Sequence, residues 1–372
     1  MNGKNGMNQD FIVIGAGIIG LATAERLLAQ GAAVTVLERG EVGRESSWAG
    51  GGILSPLCPW DYPDEVTRLT SYSASLFATW AHSLHAASGI DPEYEMSGML
   101  VLPPFDMLTA QRWCAVHGVR VERTSRAAVL SSPAAGRETE EEEGDALLLP
   151  EVAQVRNPRL LRALRSRVEA LGGRIIEQCA VHDIVTGSGR VQALTTACGT
   201  FSAQGYIVTA GAWSQQVLGQ HALNLEIKPV RGQMLLFRFA AAPLRPILLQ
   251  GDLYLICRRD GHLLVGSTLE DVGFDKQTTI AARDDLFARA QRLLPALGNM
   301  PLAQHWAGLR PASPRNIPAI GRHPQLDNLY INSGHFRYGV TMAPASAVIL
   351  SNEMTGAPQP FDVAPYRAGW GI

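Results

Sequence analysis

The sequence predicts an α/β fold, α+β when taken as two domains, in which a mostly parallel domain assembled from separated pieces is interleaved with an antiparallel-sheet domain. Three observations carry that prediction. The chain opens from Phe11 on a strand, a glycine turn, a helix and a second strand, FIVIGAGIIGLATAERLLAQGAAVTVLER. It returns to the order strand, turn, helix near its end, in NLYINSGHFRYGVTMAPASAVIL. Between the two lie longer strands with hairpin punctuation, where Asp260-Gly261 is a strong turn signal. The pieces 10–88, 151–222 and 306–365 are expected to form the first domain, and 89–150 with 223–305 the second. With 372 residues, the chain is long enough for two sizeable cores.

Each element has its own signal. The apolar run Phe11 to Ile14 suits a fully buried parallel strand, Gly15-Ala16-Gly17 a tight turn, and Ile19, Ala22, Ala24, Leu27 and Leu28 one helix face. Gly31 stops that helix and Val34 to Leu37 supplies the next strand. Ser71 to Ser88 reads as an amphipathic helix, Gly98 to Pro103 as a strand and Pro158 to Leu171 as a helix. Strands follow at Arg174 to Ile176, near Val181 to Val185, and in YIVTAGAWS from Tyr206. EIKPVRGQMLLFRF and LYLICRRDGHLLVGS make the antiparallel sheet, and Ala281 to Leu297 a helix. The stretch QHWAGLRPASPRNIPAIG from Gln304, which carries Arg310, reads as an apolar, proline-stiffened loop.

Composition removes several functions. Hydrophobic residues at 46% and charged residues at 18% belong to a globular chain, and a net charge of -2 without a basic block leaves no footprint for nucleic acid or an acidic membrane. The longest uncharged apolar run, Phe11 to Ala24, is too short to span a bilayer, which takes roughly 20 residues. The start, MNGKNGMNQD, reads as a loose polar tail, not a signal peptide. A cytoplasmic homo-oligomer whose partners are small molecules is expected. Cys58, Cys114, Cys179, Cys198 and Cys257 are odd in number and lack a CxxC pair, so they read as buried, reduced thiols. His82 and His85 have helical spacing but no third ligand, and the acidic run Glu138 to Asp145 reads as a solvated loop, so no metal is expected.

The first strand, turn and helix form a Rossmann-like dinucleotide site. Gly15 permits the turn, Gly17 lets backbone approach a pyrophosphate, and Gly20 lets helix pack close to strand. The helix N-terminus offers N–H donors and a favourable dipole to the anion. Glu38, 18 residues past Gly20, is placed to accept from a ribose 2′-hydroxyl. ESSWAGGG from Glu45 adds Ser46, Ser47, Gly51 and Gly52, hydroxyls and bare backbone for a large ligand or else a flexible surface loop. The motif does not choose between NAD and FAD. One fingerprint occurs, whereas a flavin reductase using NAD(P)H usually carries two.

GAGIIGLATAERLLAQGAAVTVLERG, SSWAGGGILSP, VTAGAWS, WAGLRP with PAIGRHP, and NLYINSGHFRYGVTMAP together resemble the FAD-dependent amine oxidases related to D-amino acid oxidase, in particular the glycine oxidases of thiamine biosynthesis. The resemblance runs from about Phe11 to about Leu350. It implies non-covalent FAD and oxidation of a small amino acid or amine, such as glycine, sarcosine or D-alanine, to an imine with oxygen reduced to hydrogen peroxide. The imine hydrolyses to oxo acid and ammonia or is consumed in thiazole synthesis. The resemblance puts Ile18, Ile19, Glu38, Arg39, Ser46, Ser47, Gly51, Gly52 and Ile53 beside the FAD, Val181 near its adenine end, and His335, Phe336, Arg337, Tyr338, Gly339, Val340 and Thr341 near the isoalloxazine. For the substrate it points to Tyr254, Arg310 and Arg337. Leu269 stands where close relatives have methionine, which implies a different apolar wall to the substrate pocket. Relatives that tether flavin covalently do so through a cysteine in the C-terminal half, and this chain has none after Cys257.

Those roles agree with elementary chemistry. Hydride transfer from the α-carbon belongs to the cofactor, while the protein orients the substrate. A desolvated carboxylate demands a partner, and the planar fork of an arginine meets it with two parallel hydrogen bonds. Local sequence alone equally allows Arg310 an ion pair or a carbonyl contact within the protein, Tyr254 a half-buried strand position and Arg337 a structural pairing. Two other readings of the whole chain stay open at this point: a D-amino acid or secondary-amine dehydrogenase passing electrons to a quinone, and a flavin-binding protein without turnover.

Overall fold

A computed structural model describes residues 9–126 and 145–367. The polar start but for Gln9 and Asp10, and all of the acidic run but Asp145, lie outside the described residues. Six strands form the first sheet, in the order Ala319–Arg322, Leu329–Ser333, Gly205–Val208, Phe11–Ile14, Val34–Leu37, Arg174–Ile176. All neighbours are parallel except Ala319–Arg322, which runs antiparallel to Leu329–Ser333. Side-chain alternation gives the sheet two buried faces. Val13, Val36 and Ile207 pack under the helices Ile18–Ala29, Asp64–Ser88, Asn157–Ala170 and Gly339–Thr355. Ile12, Ile14, Val208 and Ile331 pack instead on Ile184, Val191 and Leu194 of a three-stranded sheet, Val181–Gly187, Arg190–Thr196 and Gly199–Phe201.

The second sheet has eight strands, in the order Gln304–Ala312, Lys228–Arg238, His262–Gly266, Leu253–Cys257, Ile247–Gln250, Met99–Leu102, Ala146–Leu149, Glu122–Thr124. It is antiparallel with one exception, the parallel pair Ile247–Gln250 and Met99–Leu102. Period-2 alternation again decides what each face meets. Leu253, Leu255 and Cys257 turn to the helix Ile280–Leu293, while Tyr254 and Ile256 turn to Ile53, Leu57 and Trp60. Tyr254 thereby faces the space between the sheets.

The stretch expected to be a loop is an edge strand: Gln304–Ala312 pairs along its whole length with Lys228–Arg238. A domain boundary at 306 would cut this strand, which belongs entirely to the eight-stranded sheet. Its one proline is compatible with the ladder because Pro311 lies opposite Pro229 on an edge, where a missing N–H leaves little unpaired. The helix expected from Ser71 starts earlier, at Asp64, with Asp64 and Glu65 favourably placed in its first turn, and Gly89 at φ 69 ends it. Cys198 is exposed and Cys58 half-buried, so the expectation of uniformly buried thiols does not hold. No helix among the described residues is long and apolar enough to cross a membrane.

Candidate active site

A cavity of about 380 Å³ lies between the two sheets, within the ~300–1,000 Å³ usual for ligand sites. One end is the glycine turn. Gly15, at φ +110, has no room for a side chain, since a Cβ there would lie 2.7 Å from the Thr209 carbonyl oxygen. Gly17 lines the cavity, and a Cβ on it would meet nothing closer than Ser47 Oγ at 3.1 Å. The helix Ile18–Ala29 starts there without a side-chain cap, and the Ile18 N–H donates to Ser47 Oγ at 2.9 Å. Ile18 and Ile19 line the wall; Gly20 does not. A Cβ on Gly20 would fall 1.9 Å from the Gly15 carbonyl oxygen and 2.6 Å from Thr209 Oγ1, so its part is to let the helix lie on the turn, away from the cavity.

Glu38 is buried at the end of its strand. Its Oε2 accepts from the Ala16 N–H at 2.8 Å and its Oε1 from the Gly40 N–H at 2.9 Å, which fixes the carboxylate and leaves lone pairs for a hydroxyl. Val181 lines the same end. The Arg39 guanidinium lies 3.4 Å over the Trp213 ring, and its Nη2 donates to Glu45 at 2.7 Å. Ser46 and Ser47 open a short helix, Ser46–Ala49, that runs into Gly50, Gly51 and Gly52. Asn157, which sequence reasoning missed, shapes this loop: its Nδ2 donates to the Ser47 and Gly50 carbonyls at 2.9 and 3.0 Å, while its buried Oδ1 has no protein partner. Gly52, at φ +79, would put a Cβ 2.1 Å from the Val155 carbonyl oxygen, and Gly51 would put one 2.7 Å from Ile256. Ile53 lines the cavity, but Thr341 does not, because its hydroxyl turns away to donate to the Ile53 carbonyl at 3.0 Å.

The turn after Leu329–Ser333 brings His335, Phe336, Arg337, Tyr338, Gly339 and Val340 to the cavity. Phe336, at φ 45, donates its N–H to the Pro311 carbonyl at 2.9 Å, tying this turn to the strand of Arg310. Burial pushes the His335 imidazole down to about 3, so the ring is neutral, with Nε2 2.8 Å from Ser346 Oγ.

Arg310 points from the edge strand into the cavity. Its Nη1 donates to the Thr268 carbonyl at 3.1 Å and its Nη2 to Ser267 Oγ at 2.6 Å. No carboxylate pairs with it among the described residues. Burial lowers its pKa; neighbouring Tyr254 opposes that shift and Arg337 adds to it. The guanidinium has a slot because position 232 is glycine: a Cβ on Gly232 would lie 2.0 Å from Nη1 and 2.3 Å from Cζ. Tyr254 packs beside it, hydroxyl toward Met234 Sδ at 3.7 Å, over Gly51 and Gly266, whose absent side chains make room for the ring. Arg337 also lines the cavity, its guanidinium 5.6 Å from the Phe336 ring. Leu269 is 51% exposed and does not line the cavity, which corrects the expectation drawn from it. Gly232, Met234 and Ser267 had no signal of their own in the sequence, since what crosses a glycine or meets a short loop is set by pairing across the sheet.

The donor set fits a dinucleotide flavin. An uncapped helix N-terminus faces the cavity, bare glycine backbone follows it, a fixed carboxylate stands at the neighbouring strand end, and an orphaned Asn157 Oδ1 lies behind the glycine loop. A family model described as FAD dependent oxidoreductase matches residues 10–353. The chain belongs to this family. It is an FAD-dependent amino acid oxidase. It is 42% identical over 366 residues to a glycine oxidase of Pseudomonas putida, covering 97% of this chain and 98% of that one. It is 32% identical over 354 residues to the bifunctional protein ThiO/ThiG of Synechocystis sp., covering 92% of this chain and 51% of that longer protein. Among solved structures, the glycine oxidase of Geobacillus kaustophilus has the same fold, with a TM-score of 0.90 at 24% identity over 96% of this chain and 98% of that one.

Proposed function

We propose that this FAD-dependent enzyme oxidises glycine, and with it small amines such as sarcosine and D-alanine, to the oxo acid and hydrogen peroxide, with ammonia released from glycine and D-alanine and methylamine from sarcosine. The observation that carries the reading is Arg310, an oriented guanidinium at a cavity wall with no carboxylate partner among the described residues. A small amino acid brings the missing carboxylate. In this reading Arg310 binds that carboxylate, Tyr254 packs beside it, and Arg337 adds a second positive charge that keeps the anion at this end. FAD, when bound, accepts hydride from the α-carbon and returns the electrons to oxygen. No catalytic base is required if the amine binds neutral, and the neutral His335 contributes no competing charge.

For the cofactor, the proposal assigns Gly15, Gly17, Ile18 and Ile19 to the pyrophosphate end, Glu38, Arg39 and Val181 to the ribose and adenine, and Ser46, Ser47, Gly51, Gly52, Ile53 and the segment His335 to Val340 to the rest. The domain division follows the two sheets, with Gln304–Ala312 given to the substrate side. Supply of the glycine imine for thiazole synthesis, a homo-oligomeric state and a cytoplasmic location belong to the same proposal. The test is binding of glycolate, a carboxylate without the amine. Perturbation of the flavin spectrum by glycolate in the wild type, and its loss in Arg310→Met holoprotein, is the expected result; unchanged affinity in that variant contradicts the assignment.

A further inference from the structure

Cys198 stands opposite Cys179 at the end of a hairpin beside the cavity. The antiparallel ladder between Val181–Gly187 and Arg190–Thr196 pairs Thr196 with Val181. The Ala197 N–H then donates to the Ala180 carbonyl at 2.9 Å, so the same register carried one step further sets Cys198 across from Cys179. Neither amide is used between the two: the Cys179 N–H donates to the Glu38 carbonyl at 2.8 Å and the Cys198 N–H to Thr196 Oγ1 at 3.0 Å. Directly opposed residues that do not exchange backbone hydrogen bonds bring their Cα atoms to roughly 4.5 Å with side chains close together. That separation falls within the ~4.4–6.8 Å a disulfide spans. The thiols share surroundings as well, since Cys179 Sγ lies 3.3 Å from Thr196 Oγ1 and Cys198 Sγ lies 3.7 Å from the Gln178 carbonyl oxygen.

The two differ in access. Cys198 is the one exposed cysteine of the five; Cys179 is buried and lines the cavity at the end that holds Glu38 and Val181. We propose that Cys179 and Cys198 form an oxidation site for hydrogen peroxide, in which the exposed thiol meets the oxidant and the buried thiol closes a disulfide. The Cys198 sulfur attacks one peroxide oxygen, the O–O bond breaks, and the leaving hydroxide takes the thiol proton as water, leaving Cys198 as a sulfenic acid. The Cys179 sulfur then attacks the Cys198 sulfur, the S–O bond breaks, and a second water leaves with the Cys179 proton. Two thiols are oxidised by two electrons in all, and one peroxide is reduced to two waters. The neighbouring Cys179 thiol raises the Cys198 pKa, so little thiolate is present at neutral pH and the site reacts slowly, as peroxide accumulates. A supply of peroxide from the enzyme's own turnover rests on the proposed function; the site itself does not, and reagent peroxide tests it separately.

The experiment treats the holoenzyme with excess hydrogen peroxide, quenches with catalase, alkylates the denatured chain without reduction and maps its peptides by mass spectrometry. The expected result is a monomeric chain that has lost two alkylatable thiols and two hydrogens, with the Cys179 and Cys198 peptides linked until dithiothreitol is added. In Cys198→Ser, Cys179 stays alkylatable after the same treatment. Sulfinic or sulfonic acid at Cys198 with Cys179 still free, a Cys198 disulfide between two chains, five free thiols after prolonged exposure, or loss of Cys179 in Cys198→Ser would each overturn the proposal.

Discussion

The Arg310 guanidinium lies flat against Gly232 and gives one hydrogen bond to Thr268 and one to Ser267, with no carboxylate pairing it among the described residues. If it holds the substrate carboxylate, the contact contributes roughly 1.5–3 kcal/mol, about 10- to 150-fold at roughly 1.4 kcal/mol per decade. Arg310→Lys keeps the charge and loses the fork, so glycolate affinity should fall by about that factor, and further in Arg310→Met, with FAD retained in both. Gly232→Ala should reproduce the loss from outside the arginine, because the new methyl would occupy the space 2.0 Å from Nη1. In the Arg310→Met background the same substitution should cost nothing more, and an equal further loss there would show that Gly232 acts elsewhere. His335 gives a pH signature. Its folded pKa, about 3, lies below the ordinary 6.5, so its contribution to stability is complete above pH 6.5 and is lost as pH falls from there toward 3. His335→Asn should flatten the melting temperature across that window; an unchanged slope contradicts the buried neutral ring. Arg310 was legible as a candidate because an arginine in an apolar stretch needs an anion. Gly232 was not, since nothing in VRGQ tells which side chain of a neighbouring strand crosses the glycine.

Two glycines of one turn make a contrast at the level of the strand, turn and helix. A side chain at Gly20 runs into backbone, the Gly15 carbonyl at 1.9 Å, whereas one at Gly17 meets only a serine hydroxyl at 3.1 Å. Gly20→Ala should therefore destabilise the chain itself, at the upper end of the ~1–3 kcal/mol expected for overpacking, even without flavin. Gly17→Val should leave an apoprotein of near-normal melting temperature that retains little FAD. The reverse pattern, measured by thermal unfolding and flavin absorbance, would contradict these placements. This unit was readable because its signals are local: an apolar run, three glycines at fixed spacing and a periodic helix face. The strand Gln304–Ala312 was misread for an equally physical reason, in that Pro311, with Pro314 and Pro318 after it, signals a loop and only pairing with Pro229 on an edge makes Pro311 acceptable in a strand. The helix Met107–His117 went unread, because its apolar positions are spread around the helix and only Ala110 and Cys114 are buried.

At the scale of the whole molecule, the site exists because two sheets face one another across the glycine loop. Alternation on Leu253–Cys257 aims Tyr254 inward, and Gln304–Ala312 carries Arg310 to the same wall, while the six-stranded sheet presents Gly15, Glu38 and His335 from its strand ends. The interleaving of two sheets was legible from the change in strand pattern along the chain. The parallel pairing of Met99–Leu102 with Ile247–Gln250 was not, because strands so far apart in sequence leave no local mark of their register. The central claim is that the bound flavin is reduced by glycine and reoxidised by oxygen. Glycine added to the holoenzyme without air should bleach the oxidised-flavin absorbance with no nicotinamide present, and admitting air should restore it while hydrogen peroxide forms in step with ammonia. A flavin that glycine leaves oxidised, or one that stays reduced in air until a quinone is supplied, would contradict the account.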